Sequence, residues 1–337
     1  MLKTVAFGRG PAENFTAGLT ATMYFPLNLF HQFLGVATGA TNAANRTDEE
    51  LILQYPAVAA SAAILLVLGL ICDVYLLYKF AGPSKSPDQP DVQVPRFKID
   101  LKPWGMKELL FTVGALLLLF AAGGLIVDLV LKFKHVDMDV DAALPWLLPL
   151  DMVARVAILF GFAVFFHWRK IDWRQAIGLQ RNSSLRAIAM GATCFLAVLP
   201  PLVATYLASA KLCSLVGIKN EPQDIVDILT SSDSTAVVVL IVIFAIVIAP
   251  MVEEFLFRGF AYPALKQRWG PWPALTLVSL VFAAIHPPVP VMGPIFVLAI
   301  GLGLAYELTG SLLAPITMHA LFNAANISMV LYVRAHS

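Results

Sequence analysis

Eight stretches of this chain are almost wholly apolar, at about 56–80, 108–132, 145–167, 187–209, 235–265, 272–286, 291–307 and 313–333. A bilayer core about 30 Å thick takes roughly 20 apolar residues as an α-helix. The runs therefore predict an all-α, polytopic transmembrane helical bundle with about eight membrane helices. Composition agrees, because 59% of the residues are hydrophobic and 13% charged, whereas about a quarter of an ordinary soluble domain is charged.

The segments between the runs set the organisation. Residues 1–55 are less hydrophobic, with MYFPLNLFHQFLGV at the centre and NRTDEE near the end. They read as a variable N-terminal segment lying at the membrane interface, without the compact apolar run and small-residue cleavage site of a signal peptide. Residues 56–333 form one polytopic membrane domain, since no fixed-period repeat divides them. The first run is followed by a proline-rich polar loop, GPSKSPDQPDVQVPRFKIDLKPWGMK. Lys85, Arg96, Lys98 and Lys102 in the loop at 81–107, and Arg169, Lys170, Arg174 and Arg181 at 168–186, place both loops in the cytoplasm, while the Asp-rich loops at 134–143 and 219–233 face outside. The compact loops point to a bacterial inner membrane. A net charge of +1 supplies no field to attract nucleic acid. Cys72, Cys194 and Cys213 stand far apart without a C-x-x-C pair, which argues against a zinc ribbon, a redox dithiol and a disulfide framework.

Charged and polar side chains inside such runs cost a few kcal/mol each on insertion scales, so each one is a functional candidate. In STAVVVLIVIFAIVIAPMVEEFLFRGFA, residues 234–261, the charged interruptions are Glu253, Glu254 and Arg258. Glu254 and Arg258 are four apart on one helical face, in the favourable order for an ion pair. Glu253 lies about 100° round the helix. It is expected to lack a partner there and, in a low-dielectric site, to hold a proton firmly enough for a general base. The structural alternative is that all three mark the interfacial end of the helix.

His286 immediately precedes Pro287 and Pro288, and a residue before proline avoids helical backbone. The run ending there has about 15 residues, too few at 1.5 Å each to cross the hydrocarbon layer. His286 should therefore lie at membrane depth beside a cavity. In the last run His319 and Asn323 are four apart and Asn326 three further, all on one face. Asn326 reads as hydrogen-bonding glue between helices, His319 and Asn323 as functional. Asp151 and Arg155, also four apart, read as a self-satisfying structural pair.

EEFLFR at 253–258, FAAIH at 282–286 and HALFN at 319–323 resemble, in order, three motifs of the CPBP family of intramembrane proteases: E-E-x-x-x-R, F-x-x-x-H and H-x-x-x-N. That family includes the type II CAAX prenyl endopeptidases and bacterial immunity-type homologues, and YELTGSLLAPITMHALFN resembles its last stretch. The resemblance is dense over about 250–326 and sets a catalytic core at about 235–330. It implies an intramembrane endopeptidase acting on a membrane-associated protein or peptide, a lipidated, CAAX-like one being the example the prenyl endopeptidases offer, and it does not settle whether the substrate is prenylated. By motif position Glu253 and His286 would activate water, His319 and Asn323 would form the oxyanion hole, and Glu254 with Arg258 would support them.

Glu253, His286 and His319 would also suit a divalent metal such as zinc with one position open for water. With no H-E-x-x-H and with Asn a poor zinc ligand, a metal-free glutamate mechanism without a cofactor is the expectation. The implied partners are the substrate and the lipid bilayer, not nucleic acid. Two other classes compete. An ion-coupled membrane transporter could use buried Glu, Arg and His as a proton relay, but should show inverted-repeat halves, which this chain lacks. A noncatalytic membrane scaffold or immunity protein could share the fold, against which the intact motifs argue.

Overall fold

The computed structural model describes residues 56–81, 99, 102–133, 140–178, 184–218, 229, 234–286 and 289–336. The segment 1–55 lies outside the described residues. Among the described residues, eight helices stand where the apolar runs predict them. They are α1 Pro56–Ala81, α2 Met106–Phe133, α3 Val140–Trp168, α4 Ser184–Leu215, α5 Thr235–Trp269, α6 Pro271–Ala284, α7 Val289–Thr309 and α8 Leu313–His336. A single further turn forms at Trp173–Ala176. Among the described residues there is no strand.

By length and composition, α1, α2, α4, α5 and α7 each contain a stretch able to cross a membrane. The protein is an all-α polytopic bundle. α1 and α2 turn large apolar side chains outward, among them Ile64, Leu70, Ile71, Leu117 and Leu118. Such a surface suits hydrocarbon and would be a liability in water. The short α6 is preceded by Gly270, whose φ of 79° only glycine adopts without strain, and ends before the Pro287–Pro288 step.

α4 is the hub of the bundle, with α7, α8 and α1 packed around it. Apolar side chains gain nothing by leaving lipid for protein, so helices in a bilayer associate largely through close van der Waals fit at small residues. At Gly191 of α4 an added Cβ would lie 2.4 Å from the Ala314 carbonyl oxygen of α8. At Gly69 of α1 it would lie 2.5 Å from the Leu196 carbonyl oxygen of α4. That second carbonyl is the one Pro200 leaves without its helical donor, since proline has no N–H. The interior between these helices is filled by Leu202, Phe282, Leu298, Leu302, Met318 and Phe322.

α5 departs twice from α-helical geometry, with π-helical turns at Phe244–Ile248 and Phe255–Ala261. The Ala249 N–H reaches back five residues to Phe244 O, and the Tyr262 N–H to Phe257 O. Each π turn is followed two positions on by a proline, Pro250 and Pro263. A proline inside a helix removes a donor and crowds the preceding turn. The wider π turn relieves that crowding and leaves carbonyls for other donors, a local irregularity often found at functional sites.

Alanine is intrinsically the better helix former by about 1 kcal/mol, yet at Gly191 the overpacking, on the order of 1–3 kcal/mol, should win. Gly191→Ala is expected to lower the thermal midpoint in detergent. Gly114→Ala on α2, where an added Cβ meets nothing within 4 Å, should leave it unchanged or raise it. Equal behaviour of the two variants would show that the α4–α8 contact does not limit stability.

Candidate active site

The polar interruptions of α5, α6 and α8 meet inside the bundle. Glu253, Glu254, Arg258, His286, His319 and Asn323 are all buried, the most accessible being Glu253 at 5%. α5 brings the two carboxylates and Arg258, the C-terminal end of α6 brings His286, and α8 brings His319 and Asn323.

Glu254 behaves as its spacing predicts. Its Oε1 accepts from Arg258 Nη1 at 3.1 Å and is 2.8 Å from His319 Nδ1. Arg258 also donates through Nη2 to the Ala299 carbonyl of α7 at 2.8 Å, and its guanidinium carbon lies 4.6 Å from the centre of the Phe282 ring. One cation is thus held by a carboxylate, a backbone carbonyl and an aromatic face.

Glu253 corrects the expectation that it stands unpaired. Its Oε1 accepts a hydrogen bond from Arg155 Nη1 of α3 at 2.9 Å. Arg155, read from spacing as the partner of Asp151, therefore reaches across to another helix; the Asp151 side chain lies outside the described residues. The physical reason is burial: a carboxylate at this depth needs a countercharge, and Arg258 is already committed to Glu254.

The other oxygen of Glu253 faces both histidines. Oε2 lies 3.9 Å from His286 Nε2 and 3.9 Å from His319 Nε2. Glu253 Oε2 and His319 Nε2 are buried without a hydrogen-bond partner. Buried polar atoms left unsatisfied are uncommon and call for an explanation such as a catalytic role.

The tautomers follow from the fixed partners. His286 Nδ1 contacts the carbonyl oxygen of Phe282, one turn earlier, so the proton sits on Nδ1 and a neutral ring presents a lone pair at Nε2. The F-x-x-x-H spacing is what brings that carbonyl and ring together. His319 donates from Nδ1 to Glu254 in the same way. Phe282 also supports both rings, with centroids 4.5 Å from His286 and 6.0 Å from His319.

Asn323 is placed by the first π turn of α5. Because the Ala249 N–H goes to Phe244 and Pro250 has no N–H, the Ala245 carbonyl loses its helical donor. Asn323 Nδ2 supplies one at 2.8 Å. The second Nδ2 hydrogen remains available to another acceptor. Asn326 differs from the expected interhelical role, donating to Phe322 O within its own helix at 2.8 Å.

The fit to a metal is poor. Ligands at about 2.0–2.1 Å around a tetrahedral zinc stand roughly 3.4 Å apart, closer than Glu253 Oε2 is to either histidine. The remaining oxygen of that carboxylate already faces a guanidinium. Among the described residues no group of three His, Cys, Asp or Glu side chains is arranged to hold a metal ion.

Besides Arg155, sequence reading missed a second buried ionic cluster. The Glu307 carboxylate of α7 accepts from Tyr262 Oη and Lys266 Nζ of α5 and, at 3.3 Å, from the Ile99 N–H. Lys266 Nζ donates in turn to Ile99 O at 3.1 Å. The clue was Glu307 itself, a carboxylate within the apolar run that ends at YELTG.

Residues 235–325 match the model of a protein family described as Type II CAAX prenyl endopeptidase Rce1-like. The matched stretch runs from the start of α5 into α8 and contains all three motifs, so the family resemblance is shown there. No curated protein and no solved structure gives a match.

Removing one partner of a buried ion pair strands the other charge, at about 3–5 kcal/mol. Arg258→Met should therefore lower stability by that order, and Glu254→Gln in the same chain should return part of it. Denaturant or thermal unfolding of both variants in detergent checks this. A double variant no more stable than Arg258→Met would mean that the pair is not the source of the loss.

Proposed function

We propose that this chain is an intramembrane endopeptidase that hydrolyses a peptide bond in a membrane-associated, lipidated protein or peptide by a metal-free glutamate mechanism. The observation that carries the proposal is the free oxygen of Glu253, buried without a hydrogen bond and facing two histidine Nε2 atoms at 3.9 Å. That separation is too long for a direct hydrogen bond and is spanned naturally by a water molecule touching both groups.

Such a water would donate to Glu253 Oε2 and to the lone pair on His286 Nε2. Its oxygen attacks the scissile carbonyl carbon while a proton passes to Glu253. The carbonyl oxygen becomes an oxyanion, which the second amide hydrogen of Asn323 would meet beside the His319 ring. Glu254, 2.8 Å from Nδ1 on the far side of the ring, orients His319. Collapse of the tetrahedral intermediate breaks the C–N bond, and the leaving amine takes the proton from Glu253. In a water-poor site, preset donors of this kind are each worth on the order of a hundredfold or more in rate.

Two observations support the substrate class. The matched family is named for cleavage of prenylated proteins, and the site is built partly on helices long and apolar enough to cross a membrane, which suits a substrate held there by a lipid.

Glu253→Gln preserves the shape of the side chain and removes the base, so proteolysis should fall by about a hundredfold or more. His319→Ala should fall comparably through loss of the ring beside the oxyanion. The measurement is a proteomic comparison of membranes carrying the parent or Glu253→Gln, followed by cleavage of an accumulating protein by purified parent and variants. If folded Glu253→Gln and His319→Ala cut that protein as fast as the parent, the protease reading is wrong.

A further inference from the structure

Resting on the hydrolase reading above, we infer that Arg155 is a positioning residue of this active site: it grips one oxygen of Glu253 and so fixes the other on the two histidines. α3 would then be part of the enzyme, although it carries no motif and lies outside the residues that match the family.

Geometry carries the inference. Arg155 and Glu253 are 98 positions apart and meet at 2.9 Å with side chains 9% and 7% exposed. The bond goes to Oε1, while Oε2 is the atom left toward His286 and His319. A carboxylate free to rotate about its last torsion would share its two oxygens between both directions. Held at one oxygen, it keeps the other aimed. Arg155 is itself braced, its guanidinium carbon lying 5.3 Å from the centre of the Phe244 ring in the first π turn of α5.

Charge points the same way. Among the described residues the site holds two adjacent carboxylates and two guanidinium groups, Glu254 with Arg258 and Glu253 with Arg155. Without Arg155, Glu253 would be a buried anion next to a second buried anion, and it would avoid the cost by keeping its proton. A protonated Glu253 cannot accept a proton from water. Arg155 thus supplies both direction and the charged state of the base.

A purely structural role would be to fasten α3 to α5, but that contact has its own packing. Phe162 of α3 lies 4.8 Å from Phe255 and 4.9 Å from Phe260 of α5, centre to centre. Arg155→Ala should therefore fold.

The test uses the full chain in lipid nanodiscs, with a farnesylated peptide ending in a C-A-A-X tetrapeptide as the probe. For Arg155→Ala the expected result is a kcat lower by about 10–100-fold with KM within about twofold, partial return of kcat in Arg155→Lys, and no further loss when Arg155→Ala is added to Glu253→Gln. Infrared spectra give a readout that needs no turnover. At neutral pH Arg155→Ala should show the carbonyl stretch of a protonated carboxylic acid, missing from the parent and abolished by adding Glu253→Gln. No cleavage of the probe by the parent would count against the hydrolase reading for this substrate, and the infrared comparison alone would then decide the role of Arg155. A normal kcat, or a loss that Lys does not relieve accompanied by no protonated-acid band, would overturn the inference.

Discussion

A charge deep in an apolar bundle has to be matched, and in this protein the matching organises the site. Glu253 and Glu254 are consecutive, so each needs a cation from its own direction. Glu254 finds one a single turn away on α5, where Arg258 lies four residues on and bonds it at 3.1 Å. Glu253, rotated by about 100°, cannot use the same helix and takes Arg155 from α3. Among the described residues the site thus pairs two buried carboxylates with two guanidinium groups. Transferring an isolated ion into such an interior would cost several kcal/mol even after relaxation.

The backbone makes comparable provision. Two prolines in α5 accompany two π turns, and the first of these leaves the Ala245 carbonyl for Asn323. An Asn on a neighbouring helix is thereby tied by one hydrogen of its amide and presented by the other. Phe282 plays a similar part on α6. Its carbonyl sets the tautomer of His286, its ring lies against both histidines and its face carries the Arg258 guanidinium. Precision in this site therefore comes from groups that perform no chemistry.

What could be read without the structure follows the same division between local and distant. Apolar runs and i, i+4 pairs are local patterns, and they located all eight helices, the Glu254–Arg258 pair and the polar stripe of His319 and Asn323. The short α6 was readable too, because Pro287 and Pro288 mark its end. The contact that Arg155 makes with Glu253 went unread for the complementary reason. Spacing arithmetic offered it Asp151 on its own helix, while its contact with Glu253 joins residues 98 positions apart and leaves no periodic trace. The clamp of Glu307 on Lys266, Tyr262 and Ile99 was missed likewise. The two π turns were hidden although Pro250 and Pro263 were in plain view, since a proline signals a break without saying which irregularity repairs it.

The position of α3 bears on what kind of machine this is. α4, α7 and α8 pack as a tight core through close approaches such as Gly191 to Ala314, whereas α3 meets the middle of α5 through Phe162 and Arg155. His319 and Asn323 belong to that tightly packed part and His286 follows α6, whereas Glu253 on α5 takes its countercharge from α3.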